Sequence, residues 1–107
     1  MEIYFKRKFK ATHSLSLPYA SPCNQPHSHD WKIEIWMEGE PEQGIVADFN
    51  KLKEILSGYE NKDLNQTIAN PTAENLALEI QKKIGTITSK KAKVRVWETE
   101  DCYAETD

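Results

Sequence analysis

From Met1 to His13 the chain alternates with a period of two. Ile3, Phe5, Phe9 and Ala11 fall on one face, and the same alternation puts His13 there. A second alternating run carries Trp31, Ile33, Ile35 and Met37 on one side and Lys32, Glu34, Trp36 and Glu38 on the other. Extended backward, its apolar side meets His29 and then His27. Between the two runs, Ser14 to Pro26 is rich in Ser, Pro and Asn and reads as a loop, and Pro41 and Gly44 break the second strand. The pattern then becomes helical. Asp48 is an N-cap ahead of Phe49, Leu52, Ile55 and Leu56, and Gly58 is a stop. A second helix opens near Asn70-Pro71-Thr72 with Thr72 as its cap, repeats Leu76, Ile80 and Ile84 every four residues, and is expected to end at Gly85. Strands follow from about Lys91 to Thr99 and around Cys102 to Glu105. The order ββααββ predicts an α+β fold in one domain over residues 1–107.

Charge and composition narrow the partners. The net charge is −3, from 17 acidic and 14 basic residues that are intermixed. No basic stripe points to nucleic acid and no apolar run to a membrane span. The first segment is a charged amphipathic strand rather than a signal peptide. Two cysteines make no disulfide framework, so a cytoplasmic setting is the expectation. A domain of 107 residues is near the small end for burying its own core, and oligomerisation would be unsurprising.

The chemistry lies at the strand ends. His13, His27 and His29 are the only histidines, and all three sit on inward faces at the edges of strands. Two imidazoles two residues apart point the same way, and a third arrives from a neighbouring strand. That arrangement offers three nitrogens to one tetrahedral metal and leaves a fourth position open for chemistry. The plainer reading is a chance His-Ser-His with one unrelated core histidine. On the third strand, Ala92, Val94 and Val96 form an apolar stripe whose next member is Glu98. A carboxylate there either emerges into water at the strand end or anchors a ligand bearing two parallel N–H donors, such as a 2-amino-pyrimidinone edge. Cys23, four residues before His27, is open to three readings: a fourth metal ligand, a nucleophile or acid/base thiol, or an ordinary buried thiol.

Taken together, these segments resemble the 6-pyruvoyl-tetrahydropterin synthase / 6-carboxytetrahydropterin synthase family over nearly the whole chain. The resemblance rests on Phe9-Lys-Ala-Thr-His13-Ser-Leu15, Cys23-x-x-x-His27-Ser-His29, Gly44-Ile-Val-Ala-Asp48-Phe49, Leu64-Asn65, Pro71-Thr-Ala-Glu-Asn-Leu-Ala77 and Trp97-Glu98-Thr99. It implies a tunnelling fold, a four-stranded antiparallel sheet with two helices on one face, and a homo-oligomer of two stacked trimers with active sites between subunits. It implies zinc on His13, His27 and His29, a pterin substrate held by Glu98 with Thr72 and Thr99, and an acid/base role for Cys23. The three-residue gap between Cys23 and His27 resembles the carboxytetrahydropterin branch. That branch converts dihydroneopterin triphosphate to 6-carboxytetrahydropterin, acetaldehyde and triphosphate on the way to queuosine. The sister pyruvoyl reaction and an aldolase-like variant are the alternatives. One departure stands out: where the family has Asp-His ahead of Leu-Asn, this chain has Glu60 and Asn61. With all three histidines on zinc, either Cys23 works with Glu60 or Asp63 to move protons, or the chain runs a variant reaction, or it binds zinc and pterin with little turnover.

Overall fold

The computed structural model describes residues 1–107 and contains the expected elements in the expected order. They are β1 (Glu2–His13), β2 (His27–Glu38), α1 (Phe49–Ser57), α2 (Ala73–Thr88), β3 (Ala92–Thr99) and β4 (Cys102–Glu105). Two single 3₁₀ turns lie at Pro22–Asn24 and Leu64–Gln66. The four strands form one antiparallel sheet in the order β1-β2-β3-β4. The β1–β2 pairing is unbroken from Glu2 opposite Glu38 to His13 opposite His27.

One face of this sheet is the core. Phe9, Ala11, Trp31, Ile33, Ile35, Met37, Ala92, Val94 and Val96 are buried there against Leu52, Ile55 and Leu56 of α1 and Leu76, Ala77, Ile80 and Ile84 of α2. Each fully buried large aliphatic contributes roughly 1.5–3 kcal/mol by leaving water, which offsets the ordering of a chain this short. Asp48 and Thr72 cap their helices as expected, accepting from the backbone N–H groups of Asn50 and Asn75. Phe49, placed by periodicity on the inward side of α1, is half-exposed and stacks on Phe5 at the rim, with ring centroids 6.2 Å apart. The opposite face of the sheet is uncovered and carries Tyr4, Trp36, Trp97 and Tyr103 interleaved with Lys32, Lys93 and Arg95.

Gly85 does not end α2. The helix runs on to Thr88 and stops at Ser89, the residue that adopts the left-handed conformation (φ 62°). The Ser89 N–H then donates to the Gly85 carbonyl. Gly85 is therefore an interior helical glycine, which costs about 0.5–1 kcal/mol relative to Ala. A methyl group there would meet the Lys90 carbonyl oxygen at 3.9 Å, an ordinary contact. Gly85→Ala should accordingly raise unfolding stability by about 0.5–1 kcal/mol in a denaturant titration. A loss of stability would restore Gly85 as the turn residue.

Candidate metal centre

The site grows out of the open end of the β1–β2 hairpin. His13 is the last residue of β1 and faces His27, the first of β2, directly across the pair. His29 lies two residues further on, so its side chain emerges on the same side. The three rings sit edge to face, with centroids 4.4 to 5.1 Å apart. Trp31 forms the wall beneath them. It is fully buried, lies edge-on to His13 and His29, and donates its indole N–H to the Ala11 carbonyl.

Two backbone carbonyls set the histidine tautomers. His13 Nδ1 is 2.7 Å from the Pro71 carbonyl oxygen, and His27 Nδ1 is 2.7 Å from that of Gln25. A carbonyl only accepts, so each Nδ1 carries the proton and each Nε2 presents a lone pair. This is the outer-layer arrangement that holds metal-binding imidazoles. The Nε2 atoms of His13 and His29 are buried and have no hydrogen-bond partner. Leaving such an atom unpaired costs about 1–3 kcal/mol, and two of them side by side fit a cation-binding role. Burial also holds the His29 imidazole below its ordinary pKa, although the Glu98 charge opposes this. The neutral ring is the form that binds metal.

Glu98 completes the cluster from β3. The β3–β4 register shifts between Trp97 and Thr99, so Glu98 sits in an irregular, bulged stretch. Such bulges re-aim side chains. Its Oε1 lies 3.2 Å from both His13 Nε2 and His29 Nε2. His13 Nδ1 is directed at the Pro71 carbonyl and His13 Nε2 has no hydrogen-bond partner, so that contact is no hydrogen bond. Donor atoms of His13, His27, His29 and Glu98 all lie within 4.8 Å of one another, so this group could hold a metal ion.

The segment after His13 is pinned by side chains acting as substitute backbone. Asn65 accepts from the Ser14 N–H at 2.8 Å and donates to its carbonyl at 2.9 Å, and Asn70 accepts from Ser16. Leu64-Asn65 and Asn70-Pro71 thus lock His13 in place from a distance. Cys23 sits on the 3₁₀ turn Pro22–Asn24, half-buried, and its thiol is not among the converging donors.

The remaining candidates also make contacts within the fold. Glu60 is ion-paired with Arg7, whose guanidinium keeps the carboxyl below its usual pKa range. Arg7 lies six residues before His13, about 20 Å away along the strand. Within one subunit Glu60 therefore does not reach the histidines, and its firm pairing leaves it poorly suited to accept protons. Asp63 caps the turn at Leu64–Gln66 by accepting from the Asn65 N–H. Asn61, standing where the family pattern has His, adopts a left-handed conformation (φ 58°) that Asn tolerates well, and its N–H donates to the Lys10 carbonyl. Thr72 caps α2, and Thr99 accepts from the Asp101 N–H in the β3–β4 turn. Each hydroxyl keeps its own proton free to donate. Sequence reasoning missed the Pro71 and Gln25 carbonyls and the Arg7 pairing. Only Arg7, a cation on an otherwise apolar strand face, carried a readable signal.

Comparison with known proteins agrees with this fold. Residues 2–107 match the family model described as 6-pyruvoyl tetrahydropterin synthase. A provisionally named 6-carboxy-5,6,7,8-tetrahydropterin synthase of Archaeoglobus fulgidus is 34% identical over 98% of this chain and 94% of its own. A dihydroneopterin monophosphate aldolase of Pyrococcus furiosus is 34% identical over 77% of this chain and 73% of its own. Among solved structures, the 6-pyruvoyl tetrahydropterin synthase of Caenorhabditis elegans superposes with a TM-score of 0.80 at 22% identity, covering 100% of this chain and 94% of that one.

Replacing any one of His13, His27 or His29 by Ala should cut bound metal sharply, whereas Cys23→Ala should leave it largely intact, as read by elemental analysis. Equal loss with Cys23→Ala would make the thiol a ligand. A pH effect follows from His29. Its folded-state pKa is depressed, so the unfolded chain takes up its proton first as pH falls. The metal-free protein should therefore lose stability as pH drops below about 6.5, the ordinary imidazole value. A denaturation midpoint independent of pH from 7.5 to 5.5 would contradict this.

Proposed function

Since the chain belongs to the 6-pyruvoyl tetrahydropterin synthase family, we propose that it is a zinc-dependent pterin lyase of the 6-carboxytetrahydropterin type. Its substrate is dihydroneopterin triphosphate, and its products are 6-carboxytetrahydropterin, acetaldehyde and triphosphate, a step toward queuosine and other deazapurines. The observation that carries this reading is the convergence of His13, His27 and His29 with two buried, unpartnered Nε2 atoms beside the Glu98 carboxylate.

In this reading His13, His27 and His29 hold the zinc, and the Pro71 and Gln25 carbonyls keep the lone pairs of His13 and His27 turned inward. Bound zinc supplies Lewis-acid polarisation of the side-chain oxygens of the substrate. Glu98 accepts the N–H fork of the pterin ring, and the Thr72 and Thr99 hydroxyls are the proposed further donors to the substrate. Cys23 moves protons at the side chain. It is the one proton carrier among Cys23, Glu60 and Asp63 whose side chain is not committed to an ion pair or a turn cap. The uncovered aromatic face and the outer edges of β1 and β4 support assembly into a homo-oligomer of two trimers. No helix is long and apolar enough to cross a membrane. Two free cysteines suit a reducing cytoplasm.

A second reading, an aldolase, is favoured by Asn61 in place of the dyad histidine and by the similarity to the Pyrococcus furiosus aldolase. It would cleave the side chain of a dihydroneopterin phosphate to leave a hydroxymethyl pterin and a glycolaldehyde phosphate. Product analysis after incubation with zinc and dihydroneopterin triphosphate separates the two. Acetaldehyde with free triphosphate is the expected result. A glycolaldehyde phosphate establishes the aldolase, a pyruvoyl product the sister synthase, and tight binding without turnover a pterin-binding protein.

Cys23→Ala should lower turnover by about 10²–10⁴-fold, the usual worth of a positioned acid/base group, with zinc retained. Turnover within a factor of a few of the unaltered protein would remove Cys23 from the chemistry. Glu98→Gln should weaken pterin binding about ten-fold or more in a fluorescence titration. Unchanged affinity would remove the ring contact.

A further inference from the structure

The geometry points to a second role for Glu98, resting on the zinc reading above: we propose that this carboxylate is a displaceable fourth metal ligand that closes the site until a pterin draws it away. Ligands 2.0–2.1 Å from a tetrahedral zinc stand about 3.3 Å from one another. Glu98 Oε1 is 3.2 Å from both His13 Nε2 and His29 Nε2, the spacing of a neighbouring ligand. The two imidazole nitrogens are its only basic neighbours within 4 Å, and its carboxylate forms no hydrogen bond with any other group of the chain. A carboxylate held against the inward-facing lone pair of His13 is repelled unless a cation lies between them.

Glu98 also has somewhere else to go. It lines a cavity of about 340 Å³ with Ala73, Glu74, Cys102, Tyr103 and Ala104, between the start of α2 and β4. That volume lies at the small end of ligand-binding pockets. Its side chain is about a quarter exposed, and the irregular β3–β4 register leaves its backbone less tightly paired than a regular strand. Gripping the fork of a pterin ring takes both carboxylate oxygens, so Glu98 cannot hold the ring and the metal together. Ring recognition would then open the fourth position for the side-chain oxygens of the substrate. The step is a ligand exchange, with no change in charge or oxidation state. It would keep the metal capped against water and small anions while no pterin is present.

Cobalt(II) substitution with azide as the probe tests this without turnover. Half-saturation of the visible-band shift should need at least ten-fold more azide in the unaltered protein than in Glu98→Gln. Zinc affinity, measured against a competing chelator, should be at least ten-fold weaker in Glu98→Gln. Glu98→Asp, one methylene shorter, should behave like Glu98→Gln and serves if that variant fails to fold. Neopterin, which lacks the triphosphate, should make the unaltered protein respond to azide as the variants do, or shift the band itself. Equal azide response and zinc affinity in all three proteins would overturn the proposal while leaving the three-histidine site standing. If none of them takes up cobalt or zinc, the metal reading falls with it.

Discussion

The pairing of His13 with His27 across the open end of the β1–β2 hairpin is the constraint on which the rest depends. Strand side chains alternate strictly, so a slip of one residue would send an imidazole to the uncovered face and Trp31 out of the core. The long apolar stripe from Phe9 to Met37 fixes the register by burial, and the site inherits its geometry from that burial. Core energy thus does the positioning, and the histidines need contribute none. They reduce local stability instead, because two ring nitrogens are buried without partners. Such a cost persists where a ligand offsets it.

Much of this arrangement could be read from residue types. Period-two alternation exposed both long strands, and the same alternation carried His13, His29 and Glu98 onto the inward face. The helix caps Asp48 and Thr72 were legible because short polar side chains before an apolar period have few other roles. The end of α2 was misjudged because glycine marks a helix end only when it takes the left-handed position, and here Ser89 takes it. The Pro71 and Gln25 carbonyls were invisible because a backbone acceptor leaves no trace in residue identity. The pairing of Glu60 with Arg7 was not legible because the two lie 53 positions apart in the chain.

The family's short motifs acquire physical meaning here. Leu64-Asn65 closes the turn beside β1 and clamps Ser14, and Asn70-Pro71 supplies both an acceptor for His13 and the entry to α2. Neither motif hydrogen-bonds a converging donor through a side chain, yet both bear on where His13 points. The departure at Asn61 is structural in this chain, since its left-handed backbone lets the segment turn back along β1. In the reaction proposed above, proton transfer would not follow the Asp-His pattern of the family, and Cys23 is the carrier proposed in its place.

The central claim is that three imidazoles and an oxygen, with no thiolate, form the metal site. X-ray absorption at the zinc edge of the zinc-loaded, substrate-free protein tests it most directly. The account predicts four nitrogen or oxygen scatterers at about 2.0–2.1 Å, with the multiple-scattering signature of three imidazoles. A sulfur scatterer at about 2.3 Å would contradict it, placing Cys23 on the metal and removing the one side chain left to move protons.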